Sequence, residues 1–535
     1  MFLKLLASIV GTLLSYGLYH ALKLVYQELN SPVRHLPGPR SNHFIYGSSK
    51  DLMRDMADGG ALQEKWVEMY GRTLKYPFFF GLTRLYTTDT KALNHFLTNH
   101  NIYQRPPHSR YLLSLIVGPG VLVTEGEVHK RQRKVMGPAF GVPQLRELTS
   151  IFFAKSAEVR NIWASEAADS PMRLDVLSWL NKTTLDIIGL AGFDYSFNSL
   201  NTERPTELAT AFDATMQATV TLSAFDIIPA WVPALRACPT KFAVLGRASQ
   251  KTMSRIGREI LRRTKTDMAE SGTFEPRRGR DLLSLLVRAN TAKDVPENQR
   301  LSENEVLAQV PTFLAAGHET TSTGTTWALF ALTQNIPAQT RLRAELLGVE
   351  TETPGMDELN ALPYLDCVVR EALRLNPPVV STSRVATQDD VVPLDTPWTD
   401  ARGVVHETLR VTKGQNVIIP ILAMNRDKTI WGPDATEFIP ERWESETPIS
   451  NNLPGVWGQT LTFLGGPRAC IGYRFSVVEM KALLFTLVRA FEFELAVPAV
   501  DIGRKISIVQ HPFVRSDPGA GVQMPLIVKP YPRPM

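Results

Sequence analysis

Cysteine is nearly absent from this chain of 535 residues: Cys238, Cys367 and Cys470 are far apart and odd in number. That excludes a disulfide scaffold, a zinc ribbon and an iron–sulfur site, which need paired or clustered cysteines. Free thiols suit a reducing compartment. An excess of one charge is lacking too. The 58 basic and 53 acidic residues leave a formal net charge of +5, with Lys and Arg spread along the chain. Without a basic arm or stripe, nucleic acid is not expected as a partner. Mean hydropathy is −0.09 and only one long apolar segment occurs, which excludes a polytopic membrane protein. Disorder is excluded by 44% hydrophobic against 21% charged residues. Internal repeats, low-complexity linkers beyond residue 40 and glycine-rich nicotinamide or flavin fingerprints are also missing.

What is present begins at the N-terminus. Leu5–Tyr19 carries no charge, and apolar character resumes between Ala21 and Tyr26. A bilayer takes about 20 mainly apolar residues, so residues 1–26 are expected to form a single transmembrane helix, with Lys4 and Lys23 snorkelling at its ends. A cleaved signal peptide is the alternative, but no small-x-small cleavage site follows. Lys23, Arg34 and Arg40 on the C-terminal side place the body in the cytosol. Residues 27–40 read as a basic, proline-rich hinge ending in Leu36-Pro37-Gly38-Pro39.

Residues 41–535 read as one large unit, mostly α with small β-sheets. Amphipathic patterns predict helices over 61–70, 89–99, 128–136, 142–164, 174–190, 207–221, 244–266, 281–288, 302–334, 338–347, 365–373 and 475–489. Strands are expected at 73–80, 84–87, 417–420, 506–509 and 526–529, with a turn at Asp517-Pro518-Gly519. The helix over 302–334 starts at a capping box, Ser302-x-x-Glu305. At 1.5 Å per residue it would run about 50 Å through the interior. Its middle, Ala316-Gly317-His318-Glu319-Thr320-Thr321, breaks the rules for a buried helix, and such local violations point to function. Pro311 lies inside it and is expected to kink the axis.

The strongest local signal is Phe463-Leu464-Gly465-Gly466-Pro467-Arg468-Ala469-Cys470-Ile471-Gly472. Glycines allow a tight loop. Cys470 stands just before a helix, whose N-terminal dipole favours a thiolate, and Arg468 adds a fixed charge. A lone cysteine is more often a small buried hydrophobe, but Phe, two Gly and Arg at set offsets exceed what packing requires.

Phe463-x-x-Gly466-x-Arg468-x-Cys470-x-Gly472 resembles the haem-binding loop of the cytochrome P450 superfamily. Glu371-x-x-Arg374 and Pro440-Glu441-Arg442-Trp443 are similar to two further elements of that family, and the motif at 316–321 to its central-helix motif. All four stand in the family's order, and the likeness covers about residues 36–535. The anchor and Leu-Pro-Gly-Pro segment resemble the membrane-anchored microsomal branch, and wording near 128–141 and 379–393 looks fungal.

The resemblance implies a haem-thiolate enzyme fold preceded by a transmembrane helix. Cys470 would be the axial thiolate of haem b, with Phe463 keeping the sulfur dry and the loop around Gly466 and Gly472 supplying N–H groups. Arg468, Arg133, His129 and Arg384 would meet the propionates; the family commonly has Trp where His129 stands. Arg133 could otherwise be a solvated charge in the run 130–134, whose other cations could meet an acidic redox partner. Glu371, Arg374 and Arg442 would form a buried structural network. Glu319 and Thr320 would deliver protons on the distal side, with Gly317 leaving room for dioxygen; the plain alternative is that Thr320 back-bonds within its helix.

These readings imply a monooxygenase of the endoplasmic reticulum membrane, fed with electrons by a separate NADPH-dependent flavoprotein reductase. Its substrate would be a lipophilic small molecule, since the segments 102–123, 212–231, 379–385 and 514–522 that the resemblance assigns to substrate are mainly apolar. Terpenoid or other secondary-metabolite biosynthesis is the expected setting, with xenobiotic oxidation as the alternative. A reductase-independent haem-thiolate isomerase or dehydratase and a non-catalytic haem-binding membrane protein are the rivals. The sequon Asn181-Lys182-Thr183 falls in a predicted helix and is discounted; the apolar stretch 225–232 could be core, membrane-dipping or part of a substrate entrance.

Overall fold

The computed structural model describes residues 2–41, 43–167, 170–201, 206–207, 210–211, 214, 223–270, 281–291, 296, 299–400, 402–444 and 453–532. The chain divides into two compact units: Met1–Asp55, Gly60–Gln104 and Ser381–Pro420 in the first, and Met56–Gly59, Arg105–Val380 and Ile421–Met535 in the second.

The first unit opens with helix α1 (Phe2–Asn30), which contains the segment expected to be an anchor. Among the described residues no helix is long and apolar enough to cross a membrane. Residues 27–30 continue α1. After a short 3-10 turn (Pro32–His35), Leu36–Pro39 lies along strand β1 (Thr73–Pro77), where the Lys75 amide donates to the Pro37 carbonyl at 3.0 Å. A Cβ on Gly38 would stand 1.9 Å from the Lys75 carbonyl oxygen, so only glycine permits this approach. Val33 and Leu36 are buried with Phe96, Tyr103 and Val417.

The sheet of this unit has the order β1–β2–β8–β5–β3, with β2 Thr83–Thr87, β3 Tyr103–Gln104, β5 Thr382–Ala386 and β8 Asn416–Ile419. Of these pairings only β2 with β8 is parallel. A hairpin, β6 (Asp390–Thr399) and β7 (Val405–Val411), escaped the pattern reading. It carries Pro393 and Pro397 and its register shifts between Pro393 and Trp398, as expected where proline withholds a ladder donor. Buried Asp89 pins it. Its carboxylate caps the helix Thr90–Thr98 through the Ala92 amide at 3.0 Å and accepts from the Asp395 and Thr396 amides at 2.9 and 2.8 Å.

The second unit is helical. Its functional part uses α2 (Gly126–Met136), α3 (Val142–Glu166), α4 (Val176–Phe193), α5 (Glu303–Leu307), α6 (Gln309–Gln334), α7 (Pro363–Leu375) and α8 (Tyr473–Ala490). A three-stranded sheet joins β4 (Met172–Asp175), β12 (Pro525–Pro530) and β9 (Phe491–Leu495), and β10 (Ile502–Ile506) pairs with β11 (Gln510–Val514). The strand expected at 506–509 therefore falls on the turn of a hairpin. The helix expected over 207–221 lies largely outside the described residues.

The predicted helix 302–334 is two helices. The capping box forms as read, with the Glu305 amide donating to Ser302 Oγ and the Ser302 amide to the Glu305 carboxylate. The helix stops at Leu307, four residues before Pro311, whose ring would collide with that carbonyl. Pro311 then takes the third position of α6, where a missing N–H costs little. The expected interior kink is thus a break between helices, and the long central helix has 26 residues.

α6 is the spine of this unit, buried along most of its length between α4 and α8. Its contact with α4 is close. Thr184 Oγ1 donates to the His318 carbonyl at 3.1 Å, and a Cβ on Gly317 would stand 2.8 Å from two carbons of Ile188. The bare side of Gly317 therefore faces α4, so this glycine serves helix packing, not space for dioxygen. Overpacking a core costs about 1–3 kcal/mol. Gly317→Val is expected to lower unfolding stability by that amount in urea denaturation, whereas Ala316→Val, at an accessible position of the same helix, stays within about 0.5 kcal/mol.

Candidate functional site

The cysteine loop is built by glycine and held from behind by a buried charge network. Gly466 takes φ +67° and Leu464 φ +56°, which turns the chain sharply. A Cβ on Gly465 would lie 1.5 Å from the Pro454 carbonyl oxygen, so nothing larger fits. The Cys470 amide donates to the Phe463 carbonyl at 2.9 Å and the Ala469 amide to that of Gly466 at 3.0 Å. Gly472 caps α8 at φ −93°, a conformation open to any residue, and is set against Phe140. Phe463 stacks edge-on with Trp457, centroids 5.5 Å apart, and lies 6.0 Å from Tyr473.

Cys470 is accessible, whereas Cys367 is buried in α7, where desolvation pushes its thiol up to about 11. Desolvation by the surrounding protein pushes the Cys470 thiol above the usual range. The Gly472 N–H and the Arg133 guanidinium act in the opposite sense and favour the thiolate. Arg133 is half-buried on α2, and His129 is buried one turn earlier.

Arg468 donates to the Thr124 carbonyl at 2.7 Å and pairs with the Glu125 carboxylate. The other Glu125 oxygen accepts the Arg105 amide at 3.0 Å. Burial, then Arg105 and Arg110, lower Arg468 to about 10; burial alone takes Arg105 to about 10. Arg110 Nε is buried with no hydrogen-bond partner among the described residues. The Arg105 and Arg110 guanidinium groups act on that of Arg468, so positive charge gathers here beyond the one carboxylate paired with Arg468 among the described ion pairs. Arg105, Arg110 and Glu125 were not singled out in the sequence, since no spacing rule links 105–125 to 468. Arg384 lies in the first unit, where it donates to Thr382 Oγ1 at 3.0 Å and the Ser383 carbonyl at 2.8 Å. Of the neighbouring cations, Arg131 is half-buried and tied to Glu305, while Lys130 and Lys134 are exposed.

Glu371 and Arg374 are fully buried, and every N–H of the guanidinium is used. Arg374 donates to both Glu371 oxygens at 2.8 and 2.7 Å and to the carbonyls of Asn425, Ala435 and Glu437 at 2.8, 2.6 and 3.2 Å. Glu371 also accepts from Arg442 Nε at 3.4 Å, the Ile439 amide at 3.1 Å and Trp443 Nε1 at 3.0 Å. Arg442 reaches the Trp431 carbonyl at 2.7 Å and Asp434 at 3.1 Å. Asn425, missed in the sequence, carries this network to the cysteine loop: its side chain accepts from the Leu461 amide at 2.9 Å and donates to Thr462 Oγ1 at 2.8 Å.

On α6, Ala316 is accessible and Glu319 and Thr320 are half-buried, within a helix otherwise largely hidden. Thr320 Oγ1 donates to the Ala316 carbonyl at 2.6 Å; the back-bond weighed in the sequence is present. Glu319 lies 3.1 Å from His511 Nε2 of β11. His318 is buried and lowered to about 4 by desolvation, opposed by Glu319. Glu479 of α8, beside Thr321, is pushed well above the carboxyl range by burial. Asn181 of the sequon accepts a hydrogen bond from Ser322, so that side chain belongs to the α4–α6 contact.

A thiol ahead of a helix N-terminus, with surplus guanidinium charge nearby, suits a soft metal carried by a group with carboxylate arms. Such a donor set fits a haem-thiolate class of protein. Residues 37–513 match the family described as Cytochrome P450. The chain is 48% identical to cytochrome P450 monooxygenase 205 of Postia placenta, covering 99% of this chain and 98% of the relative. Cytochrome P450 monooxygenase 128 of the same fungus is 49% identical over 98% and 97%. Cytochrome P450 monooxygenase claP of Ampulloclitocybe clavipes is 36% identical over 98% and 96%. This chain belongs to the cytochrome P450 family, and as an enzyme it is a monooxygenase, an oxidoreductase that incorporates oxygen.

Breaking a buried ion pair strands the remaining charge, at about 3–5 kcal/mol. Glu371→Ala is expected to cost that much in urea denaturation and to lower haem retained on purification. A second test uses pH. His318 has a folded pKa below its unfolded value, so the unfolded chain binds the proton more readily and stability falls as pH drops from about 6.5 towards 4. Replacing His318 with Gln is expected to remove up to about 3 kcal/mol of that acid sensitivity, read as urea midpoints across the range.

Proposed function

We propose that Cys470 is the axial thiolate of haem b and that the enzyme oxidises a lipophilic small molecule. The observation that carries this reading is the accessible Cys470 thiol, with the Gly472 N–H and Arg133 directed at it. Haem with a thiolate ligand supplies cleavage of the O–O bond of dioxygen. The protein's part is to hold, insulate and deliver. Arg468, Arg133 and His129 bind propionates, with Arg105 and Arg110 adding to their field; for Arg384, in the first unit, the propionate role rests on the family resemblance alone. Phe463 and Trp457 limit water at the sulfur. Gly466 lets the loop turn, and Glu371, Arg374 and Arg442 keep it in place without taking part in chemistry. Glu319 holds a proton at its carboxyl, and Thr320, its hydroxyl hydrogen engaged by Ala316, offers its oxygen as an acceptor.

Electrons come from a separate NADPH-dependent flavoprotein reductase. α1 acts as the membrane anchor at the endoplasmic reticulum with the body in the cytosol; exposed Leu18, Tyr19, Leu22, Val25 and Tyr26 support this. Terpenoid or other secondary-metabolite tailoring is the proposed setting. Xenobiotic oxidation is the second reading. A Glu319-Thr320 pair, useful only where protons are consumed, speaks against an isomerase, a dehydratase or a non-catalytic role.

Cys470→Ala should abolish the red-shifted Soret band of the reduced carbon-monoxide form. A persistent band in that variant would overturn the ligand assignment. Co-expression with a reductase and a panel of terpenoid and aromatic compounds should give a product heavier by one oxygen, labelled from ¹⁸O₂.

A further inference from the structure

The acid on α6 has a titratable neighbour from a distant part of the chain. His511 sits on β11, 3% exposed, with Nε2 3.1 Å from a Glu319 oxygen. Neither ring nitrogen of His511 has a hydrogen-bond partner among the described residues. Buried imidazoles ordinarily find such partners; Nε2 is within reach of the Glu319 oxygen but not aligned on it, and a small turn of the ring would bring its N–H onto that carboxylate to exchange a proton.

Its position is fixed by the residue before it. The Gln510 amide donates to the Pro378 carbonyl at 2.9 Å, its side chain to that of Pro377 at 2.7 Å, and its own carbonyl accepts from Trp327 Nε1 at 3.1 Å. Trp327 lies on α6 eight residues after Glu319, about two turns on, so one helix sets both partners of the pair. No sequence spacing links 319 to 511.

The other charged groups around this contact are accounted for. On α6, His318 is held neutral by burial. On β10, Arg504 donates to Asn376 Oδ1 at 2.8 Å and stacks over Trp327, while Lys505, paired in register with His511, is exposed. After β11, Arg515 binds Asp58 at 2.6 Å and Asp501 is half-buried near Ser516. Among the described ion pairs, Glu319 is the carboxylate in contact with His511.

We propose that His511 is a positioning residue that acts through Glu319, recharging the distal acid with protons during turnover. In the step, the His511 Nε2–H bond breaks and a Glu319 Oε1–H bond forms. The ion pair becomes a neutral imidazole and a neutral carboxylic acid, and the imidazole regains its proton from water. The proposal rests on the distal role given to Glu319 above.

The test uses holoenzyme reduced under carbon monoxide, a diamagnetic state, with ¹⁵N-labelled histidine. Of ten histidines, the His511 signal is the one lost in His511→Gln, or in His511→Asn if the first variant fails to hold haem. Removing the neighbouring carboxylate with Glu319→Gln should lower the His511 titration midpoint by about one pH unit. With reductase and no added substrate, wild-type NADPH consumption should titrate between about pH 6 and 8, and His511→Gln should flatten that profile. An unmoved His511 midpoint in Glu319→Gln, or an unchanged pH profile in His511→Gln, overturns the proposal. Loss of the thiolate Soret band in the wild type would instead overturn the haem-ligand reading.

Discussion

The fully bonded guanidinium of Arg374 is the constraint on which the cysteine loop depends. A buried cation is tolerable only when its donors are satisfied and its charge is matched, and here all five N–H groups have acceptors. Three of these acceptors are carbonyls: that of Asn425 ends the short helix Ile421–Asn425, and those of Ala435 and Glu437 lie in chain with no regular ladder of its own to hold it. The arginine thus takes the part that secondary structure takes elsewhere. Because Asn425 also fixes Leu461 and Thr462, the origin of the loop that ends at Cys470 is set by a side chain about one hundred residues upstream in the sequence.

A second balance governs the cations. Desolvation lowers both Arg105 and Arg468, and for Arg468 the repulsion of Arg105 and Arg110 adds to it. Glu125 offsets part of that cost by taking the Arg105 amide and the Arg468 guanidinium at once. Surplus positive charge kept in a partly dry place is unfavourable for folding alone, and it makes physical sense as a site held ready for an anionic group.

On α6 the same residues serve packing and chemistry. Gly317 faces Ile188 and the His318 carbonyl receives Thr184, so part of the unusual motif is explained by the close approach of α4. What remains for chemistry is the other side, Ala316, Glu319 and Thr320. Rule-breaking residues in a buried helix identified the right segment, but sequence could not tell which of them face a neighbour and which face accessible space.

The sequence by itself determined the helical character of the second unit, most helix boundaries to within a few residues, the capping box at Ser302 and the chemically equipped cysteine. These are readable because they rest on local rules: periodicity, capping and backbone freedom over less than about four turns. It did not reveal the β6–β7 hairpin, whose prolines hide it, or the break at Ala308, where one proline outweighed a continuous apolar pattern. Only the tertiary structure decided which charges meet: Glu125 with Arg468, Arg131 with Glu305, Trp443 with Glu371, Glu319 with His511. These partners lie tens to hundreds of residues apart, and Coulomb and hydrogen-bond energies depend on separation in space, which no one-dimensional spacing records.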